Sequence, residues 1–399
     1  MSRAAPVLLL CTGILASCAT GKAAPEQPPA ELSLELRLAE NPLAVDLAFA
    51  FPGDADGETD VELAESWGGV GPERKDLEDL CVEGEEGREL ALEVQGPHRW
   101  RARHAPGERL TVRARLPLNE VSFRAGFREH DFYRPILEPG LLHAIGHLFL
   151  PVPLHLPWTE PRAVELSYPG FAEAGWSVAD SFGTGAGPRR VQASLGELRH
   201  ALYLAGELDV YRPEEAPGLV VAVARHGFDF AGGDLADVAA RILALERELM
   251  ADPGGRHYLV SAIAVGQRAQ RGLSYGGTGL TNAFALFLQP NADLALESES
   301  GLELRRLLAH EGFHEWNGVR LPLAPPEEPC YWFSEGFTDY FARRVLHQAG
   351  WLDDAAYAAD LSRRLAEYHT SPAKNRDAAD LGAAFWTCLL YTSPSPRDS

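Results

Sequence analysis

Alternating apolar and polar positions mark the first part of the chain. Leucines occupy every second position from 32 to 38, with polar side chains between them, and the segment Leu110–Leu116 repeats the alternation. A period of two predicts β-strands with one buried face and one solvated face. Pro and Gly recur between such segments, and no internal repeat is visible. We therefore expect a β-rich N-terminal domain over residues 31–191.

Farther along, apolar positions recur at helical spacing. They predict a half-buried helix over about residues 302–316. Asn317 and Gly318 are suited to end this helix, and the several prolines that follow prevent its continuation. A second helix is predicted over about Trp332–His347.

Further elements are predicted ahead of these two helices, and together they describe an α+β domain over residues 192–387. They are a helix at about Leu195–Leu204, a strand at Leu219–Ala224, a helix from an N-cap at Asp234 to about Met250, and strands at His257–Val265 and Asn282–Leu288 with a Gly-rich loop between the last two.

The sequence His-Glu-Gly-Phe-His occupies residues 310–314, near the C-terminal end of the first predicted helix. Residues four apart in a helix project from the same face, so His310 and His314 can bind one Zn²⁺. Glu311 then lies beside the open position of the metal, where a carboxylate can take a proton from bound water. A motif with two unconstrained positions also arises by chance on solvated helix faces, so its surroundings must support it.

Acidic side chains on the second predicted helix complete this set. A catalytic zinc takes three protein ligands and one water, and Glu335 on the first turn supplies the third ligand. Asp339 follows one turn later on the same face. We assign it the role of accepting the other ring N–H of His310 or His314. Each acid alone would be read as a surface residue, whereas the joint pattern predicts a metal-dependent hydrolase.

The residues around this motif resemble a known family. His-Glu-x-x-His-x-Trp-Asn at 310–317, followed by Arg320 and by Trp-Phe-x-Glu-Gly-x-Thr-x-Tyr at 332–340, is similar to the glycyl aminopeptidase family of gluzincin metallopeptidases. The resemblance is specific over residues 302–346 and weaker upstream.

This resemblance implies a zinc site made by His310, His314 and Glu335, with Glu311 as the general base. It also implies a thermolysin-like catalytic domain after the β-rich domain, and usually a PDZ domain after that. The expected fold class is therefore α+β, with a catalytic domain over residues 192–387 that is incomplete at its C-terminus.

One departure from the family concerns the amino terminus of the substrate. Family aminopeptidases carry a Gly-Gly-Leu-Glu-His type segment whose Glu holds the free α-amine, but the corresponding residues 276–282 include no acid. Gly276, Gly277 and Asn282 are expected to border the substrate. An edge strand of such a domain pairs with an extended peptide, so aminopeptidase and endopeptidase activities both stay open. A flexible hairpin loop is the alternative interpretation of the glycine run.

The end of the chain is a second departure. Cys388–Asp398 corresponds to one reading frame of a transposon adapter used in sequencing libraries, so residues 388–399 are expected to be an adapter-derived tail. The natural sequence is then represented to about Thr387. Gluzincins stabilise the oxyanion with a Tyr or His well downstream of the Glu ligand, and we expect that residue beyond this point. Tyr357 and Tyr368 are not assigned the role.

The first residues predict export. A basic residue precedes an apolar run, Val7–Leu15, that is too short to span a bilayer, and the run ends in Leu-Ala-Ser-Cys, which resembles the lipobox of bacterial lipoproteins. Residues 1–17 are expected to be a signal peptide, Cys18 a lipid anchor in a bacterial membrane, and residues 18–30 a tether. This predicts a periplasmic or cell-surface lipoprotein. An ordinary secretory signal with an incidental Cys is the alternative.

Composition adds limits to this picture. The 399 residues are 46% hydrophobic, which suffices for two folded domains, and the formal net charge of −21 disfavours nucleic acid as a partner. Cys81 and Cys330 lie in different predicted domains and are expected to be two separate buried thiols, with a disulfide between them as the alternative. His143, His147 and His155 have partial ligand spacing but no accompanying acid, so we expect structural roles for them.

Together these features predict a zinc-dependent peptidase that cleaves peptides outside the cytoplasm, with one Zn²⁺ per chain. A catalytically inactive zinc-containing module that binds peptides is the alternative. Glu311 favours the enzyme, because a binding module has no need of a general base.

Overall fold

The structure is a computed structural model that describes residues 30–67, 70–71, 76–119, 131–266, 268, 275–324, 328–371 and 374–377. The expected signal peptide, Cys18, nearly all of the tether and the adapter-like tail lie outside the described residues. None of the helices in the described part of the chain has the length and apolar composition of a membrane span.

The N-terminal part of the chain is built from strands, as its alternating pattern predicts. Apolar side chains of the first strand face the core at every second position, and polar side chains face outward. The strands are β1 (Leu32–Glu40), β2 (Leu43–Pro52), β3 (Glu58–Glu62), β4 (Glu78–Glu83), β5 (Leu92–Gly96), β6 (Arg99–Arg103), β7 (Arg109–Pro117), β8 (Ile136–Glu138), β9 (Leu141–Ile145), β10 (Val152–Pro153), β11 (Arg162–Ser167), β12 (Ser177–Asp180), β13 (Gly183–Thr184) and β14 (Arg189–Ala193).

Two sheets of this part share one core. The larger has the strand order β14-β11-β1-β2-β7-β4, and the smaller has the order β10-β3-β6-β5. In the larger sheet β1 runs antiparallel to β2 and parallel to β11. Leu34, Phe49, Val61, Ala102 and Val112 are among the fully buried side chains of the common core. The strands therefore form because each can bury one apolar face.

The helix predicted at Leu195–Leu204 is shorter in the structure. α1 spans Leu195–Arg199 and begins with a capping box in which Ser194 and Glu197 bond each other's backbone N–H. β15 (Leu202–Gly206) follows it and pairs with β12 and β9 in a third sheet of order β13-β12-β15-β9-β8. Backbone pairing with two strands distant in sequence therefore prevails over the helical pattern beyond Arg199.

The rest of the chain alternates strands and helices and ends in a group of three helices. Its elements are β16 (Leu208–Tyr211), β17 (Leu219–Ala224), α2 (Gly232–Leu249), β18 (Tyr258–Ala264), β19 (Tyr275–Leu280), β20 (Ala283–Leu288), α3 (Glu299–Phe313), α4 (Tyr331–Gln348) and α5 (Asp354–Thr370).

A fourth sheet, of order β16-β17-β18-β20-β19, underlies these helices. β17, β18 and β20 run parallel, and β16 and β19 are antiparallel edge strands. The predicted strands at Leu219–Ala224, His257–Val265 and Asn282–Leu288 are confirmed to within one residue at each end. The predicted N-cap at Asp234 is wrong, because α2 begins at Gly232 and Asp234 lies in its first turn, where a negative charge suits the helix dipole.

The Gly-rich segment before β20 is a strand and not the predicted loop. Residues 275–280 form β19, which pairs antiparallel with β20 across a two-residue turn. Glycine carries no side chain that could show a period of two, so the sequence holds no strand signal here. The pairing with β20 decides the conformation.

The fourth sheet is buried on both faces. On one face, side chains of β17, β18 and β20 pack with those of α2, α3 and α4 in a common apolar cluster. On the other face, Leu259, Ala285 and Phe287 pack with Phe132 and Leu204 from the N-terminal part. The third and fourth sheets are thus held together by one apolar layer, and the predicted division at residues 191 and 192 stays a prediction.

Candidate metal centre

Two helices meet where the sequence places the metal ligands. α3 ends at Phe313, and the chain continues through a wide π-helical turn, Glu315–Arg320, before α4 begins at Tyr331. Gly318 in this turn adopts a φ of 146°, which L side chains rarely adopt. α3 thus ends three residues before the predicted end near Trp316. The turn that follows contains Asn317 and Gly318, and α4 returns to pack along α3.

His310, His314 and Glu335 converge at this meeting point. The Nε2 atoms of the two histidines are 3.3 Å apart. Glu335 Oε2 lies 3.2 Å from Nε2 of His310 and 3.8 Å from Nε2 of His314. In the described part of the chain, this is the one group of three such side chains whose ligand atoms all lie within 4.8 Å of one another. Two imidazole nitrogens and a carboxylate oxygen are a donor set that suits zinc.

Opposite charges at this point outweigh the effect of burial. Burial lowers the pKa of His310, but its hydrogen bond with Glu335 and the charges of Glu311, Glu335 and Asp339 raise that pKa above its ordinary value. Burial raises the pKa of Glu335, but the hydrogen bond with His310 and the charges of both histidines lower it. Three acids thus surround His310, and this negative surrounding favours a divalent cation.

Asn317 orients His314 and joins the two helices. The Nδ1–H of His314 donates to the backbone carbonyl of Asn317 over 3.0 Å, which leaves Nε2 as the lone-pair donor toward a metal. The Asn317 side-chain amide donates to Ser334 O over 2.8 Å and to Thr338 Oγ1 over 3.0 Å. Asn317 belongs to the motif that the sequence shows, but its bridging role depends on a contact with α4 that no local pattern indicates.

Asp339 has a different partner from the one predicted. Its carboxylate forms an ion pair with Arg343 one turn later on α4, and Arg343 also contacts Asp360 of α5. The described hydrogen bonds of His310 and His314 join them to Glu335, to each other and to Asn317. The contact predicted between Asp339 and a histidine is therefore not among them, and Asp339 acts on His310 through its charge.

Glu311 faces strand β19. It is half-buried, and a Cβ built on Gly279 would lie 3.9 Å from its Oε2 atom. A peptide that reaches the three ligands therefore has Glu311 and the backbone of β19 beside it. The sequence reasoning did not single out Gly279, whose one signal is its place in the glycine run.

The two glycines that were predicted to border the substrate make room for aromatic rings. A Cβ on Gly276 would lie 2.8 Å from Phe132 Cζ, and one on Gly277 would lie 2.4 Å from Phe284 Cζ. The Tyr133 hydroxyl donates to the backbone carbonyl of Gly277 over 3.5 Å. Side chains of the N-terminal part thus contact β19. The ring of Phe132 leaves no room for a side chain at residue 276, and the ring of Phe284 on β20 leaves none at residue 277.

Asn282 and Thr281 form the turn between β19 and β20. Asn282 has a φ of 46°, and its carbonyl accepts from Leu259 N over 2.9 Å. Thr281 N donates to His200 O, also over 2.9 Å. These contacts hold the turn in place, and they give Asn282 a structural part beside the predicted one at the substrate.

The other histidines and the cysteines take the structural roles that were predicted. His143 is fully buried, and this burial lowers its pKa to about 3. His147 Nε2 lies 2.9 Å from Nδ1 of His200, and His155 Nε2 lies 3.1 Å from Pro52 O. Cys81 and Cys330 are free thiols, as predicted, but both are half-buried and not fully buried.

Comparisons with known proteins find a family match over the segment of the site and structural matches over most of the chain. Residues 303–393 match the M61 glycyl aminopeptidase family. No curated protein gives a significant match. Among solved structures, an aminopeptidase N family protein from Idiomarina loihiensis has a TM-score of 0.62 and 18% identity, with 82% of this chain and 56% of that chain covered. An M1 zinc metallopeptidase from Deinococcus radiodurans has a TM-score of 0.47 and 17% identity, with 91% and 82% covered.

At these identities the structural likeness concerns the fold alone, and the chain spans just over half the length of the Idiomarina protein. The predicted α+β fold, with β-rich N-terminal sheets followed by a thermolysin-like domain, is confirmed. Residues 303–393, which hold the three converging side chains, match the M61 glycyl aminopeptidase family, and the fold of the chain resembles that of the Idiomarina aminopeptidase N family protein.

Proposed function

We propose that this protein is a zinc-dependent peptidase. The observation that carries the proposal is the convergence of His310, His314 and Glu335, with Glu311 beside them and facing β19. The family match over the same residues supports it. His310, His314 and Glu335 would hold the ion, and a set of three protein ligands is typical of catalytic zinc sites, which also bind a water.

Each side chain of the site has its own role in the proposed hydrolysis. A bound Zn²⁺ supplies Lewis acidity, which lowers the pKa of water toward about 7 and polarises a carbonyl. Glu311 takes the proton of the attacking water and passes it to the leaving amine. Glu335 and the two histidines hold the ion, and Asn317 keeps His314 in the tautomer that presents Nε2. The role of Glu311 requires a carboxylate, whereas ion binding does not require Glu311.

The position of the substrate follows from β19. Gly279 faces Glu311, so we place the scissile bond between that glycine and the three ligands. Gly276, Gly277 and Asn282 would then flank the peptide through backbone groups alone, which select for an extended main chain and not for particular side chains. Residues 276–282 include no acid for a free α-amine. Comparison of a free peptide with its N-acetylated form decides between aminopeptidase and endopeptidase activity.

Zinc content tests the proposal most directly. The chain from residue 18 onward is expressed, and its zinc content is measured by elemental analysis. We expect about one zinc per chain, lost in His310→Ala and in Glu335→Ala but kept in Glu311→Gln. A folded protein without zinc would refute the site.

The same Glu311→Gln variant separates the enzyme from a zinc-containing module that only binds peptides. An enzyme without its base becomes a trap that holds uncleaved peptide, so the wild type turns the peptide over and the variant retains it. A binding module retains the peptide equally in both forms. Glu303→Gln is the matched control, since Glu303 lies about two turns before His310 on the same helix and forms an ion pair with Arg306.

Export and lipidation belong to the proposal on sequence grounds alone. The run Val7–Leu15 followed by Leu-Ala-Ser-Cys supports cleavage before Cys18 and attachment of lipid there. Metabolic labelling of the full chain with a radioactive fatty acid in a bacterial host is expected to mark the wild type and not Cys18→Ala. Labelling of both would place the lipid elsewhere.

A further inference from the structure

One carboxylic acid lies beneath the metal-binding helix without a partner. Glu246 of α2 is fully buried, and neither of its carboxyl oxygens has a described hydrogen-bond partner. An isolated buried charge is far more costly than a buried neutral group, so such an acid takes up a proton instead. Glu246 has no role in binding the metal or in proton transfer as described above.

The carboxyl group of Glu246 packs against α3 at Gly312. A Cβ on Gly312 would lie 2.9 Å from Oε2 and 3.3 Å from Oε1 of Glu246. Successive residues of a helix are rotated by about 100°, so Gly312 lies about 180° from the shared direction of His310 and His314. Glu246 therefore supports the turn of α3 that carries both ligands and the base, from the side opposite the metal.

A small cavity adjoins this contact. It has a volume of about 20 Å³, which is room for one water molecule. Its walls are apolar except for Glu246 and Tyr258 of β18, and they include Phe284, Leu308 and Gly312. A neutral carboxyl group can both donate to and accept from a water at this place.

We infer that Glu246 is a positioning residue of the metal centre: a neutral carboxylic acid, linked to one buried water, that holds the Glu311-bearing turn of α3 in place through Gly312. The inference rests on the proposed peptidase function for its activity readout only. Burial raises the pKa of Glu246 well above its ordinary value, and the nearby charge of Arg247 opposes this rise only in part.

Titratable groups near Glu246 come from each element that packs on it. Arg247 lies on its own helix, Tyr258 on β18, and Glu311 and Glu315 on α3 and the turn after it. Burial raises the pKa of Tyr258 well above its ordinary value, and the charges of Glu315 and Glu311 act in the same direction, so Tyr258 stays neutral as well. No described contact supplies a cation to balance an ionised Glu246.

The sign of the pH dependence follows from this arrangement. Because the pKa of Glu246 is higher in the folded than in the unfolded chain, the folded state loses relative stability as the pH rises above about 4.5. Glu246→Gln keeps the shape and the hydrogen-bonding groups but has no proton to hold. Above about pH 5, the unfolding equilibrium constant of the wild type is expected to rise with pH relative to that of the variant, by at most about tenfold per pH unit. If the unfolding equilibrium constants of the wild type and of Glu246→Gln changed with pH in parallel, the inference that Glu246 is neutral would be overturned.

Activity and zinc affinity test the positioning role. With a dipeptide amide as substrate, Glu246→Gln is expected to keep kcat within about twofold, whereas Glu246→Ala lowers kcat by about tenfold or more, because a misplaced base loses much of its rate. Glu248→Gln, on the exposed side of α2, is the matched control. Unchanged kcat and unchanged zinc affinity in folded Glu246→Ala would overturn the positioning role.

A double-variant cycle tests the contact itself. Ala is a better helix former than Gly by about fivefold in equilibrium terms, but in the wild type its methyl group meets the carboxyl group. Gly312→Ala is thus expected to stabilise Glu246→Ala and to bring no gain to the wild type. Equal effects in both backgrounds would refute the contact. If the wild type binds zinc but cleaves no peptide, the proposed function fails while this cycle and the zinc affinities still decide the role of Glu246.

Discussion

Two glutamates on opposite sides of α3 differ in charge state. Glu335 lies at the front of α3, the side of the candidate metal ligands, where two histidines lower its pKa. Glu246 lies at the back, the side that faces α2, where burial raises its pKa. About half of the Glu335 side chain is exposed, whereas that of Glu246 is fully buried. Under the two proposals, the same residue type serves as a metal ligand at one place and as a neutral packing group at another, according to the partners that the fold brings to it.

The largest effect is expected from the base at the front. Glu311→Gln removes proton transfer and leaves the ligands in place, so kcat should fall by about a thousandfold while the zinc content stays unchanged. Steady-state hydrolysis of a peptide together with elemental analysis measures both. Retained turnover in this variant would exclude the proposed mechanism.

Removal of the metal by a chelator should change the melting temperature only of proteins whose metal ligands at the front of α3 are intact. At a free concentration of about a thousand times its dissociation constant, a metal ion that binds only the folded state stabilises that state by about 4 kcal/mol. A chelator should therefore lower the melting temperature of the wild type. The same chelator should leave His310→Ala unaffected and should still act on Glu246→Gln. Calorimetry with and without the chelator gives the comparison, and equal shifts in wild type and His310→Ala would contradict the site.

Asn317 tests how the two helices keep Glu335 beside the histidines. Its buried amide donates to Ser334 O and Thr338 Oγ1, so Asn317→Ala should lower the free energy of unfolding by about 1–3 kcal/mol. Zinc affinity should fall with it, because α4 is no longer tied to the turn after α3. Denaturant unfolding and chelator competition measure the two effects. Gln192→Ala, at an exposed site of β14, is the control and should change neither.

The smallest effect is expected from Asp339. An acid that orients a ligand histidine is worth about 10–100-fold in metal affinity, but Asp339 is paired with Arg343 instead. Asp339→Asn should therefore lower zinc affinity by less than tenfold, through its charge alone. Competition with a chelator of known affinity measures this. A larger loss would restore the hydrogen bond that the sequence suggested.

The elements that the sequence predicted best are those with a local signal. The two helices of the metal site lie within a few residues of their predicted bounds, because helical periodicity and the stop at Asn317 and Gly318 are both properties of neighbouring residues. The strand β19 and the early end of α1 at Arg199 were missed for the opposite reason. The early end of α1 depends on the pairing of β15 with β9 and β12, which are distant in sequence. β19 was missed because its glycines carry no side chains that could show a strand pattern, although its partner β20 is only two residues away.

The candidate site divides in the same way. The spacing of His310, Glu311 and His314 is fixed by the turn of one helix, so the sequence alone determined that the two rings share a face with the base beside them. Glu335 could be named as a ligand, but only the packing of α4 on α3 brings its Oε2 atom within 3.2 Å of His310. The tertiary structure also decided the partner of Asp339, the place of Gly279 beside Glu311 and the charge state of Glu246. Those depend on distances between segments far apart in the chain, and a pKa or a hydrogen bond follows from such distances and not from residue type.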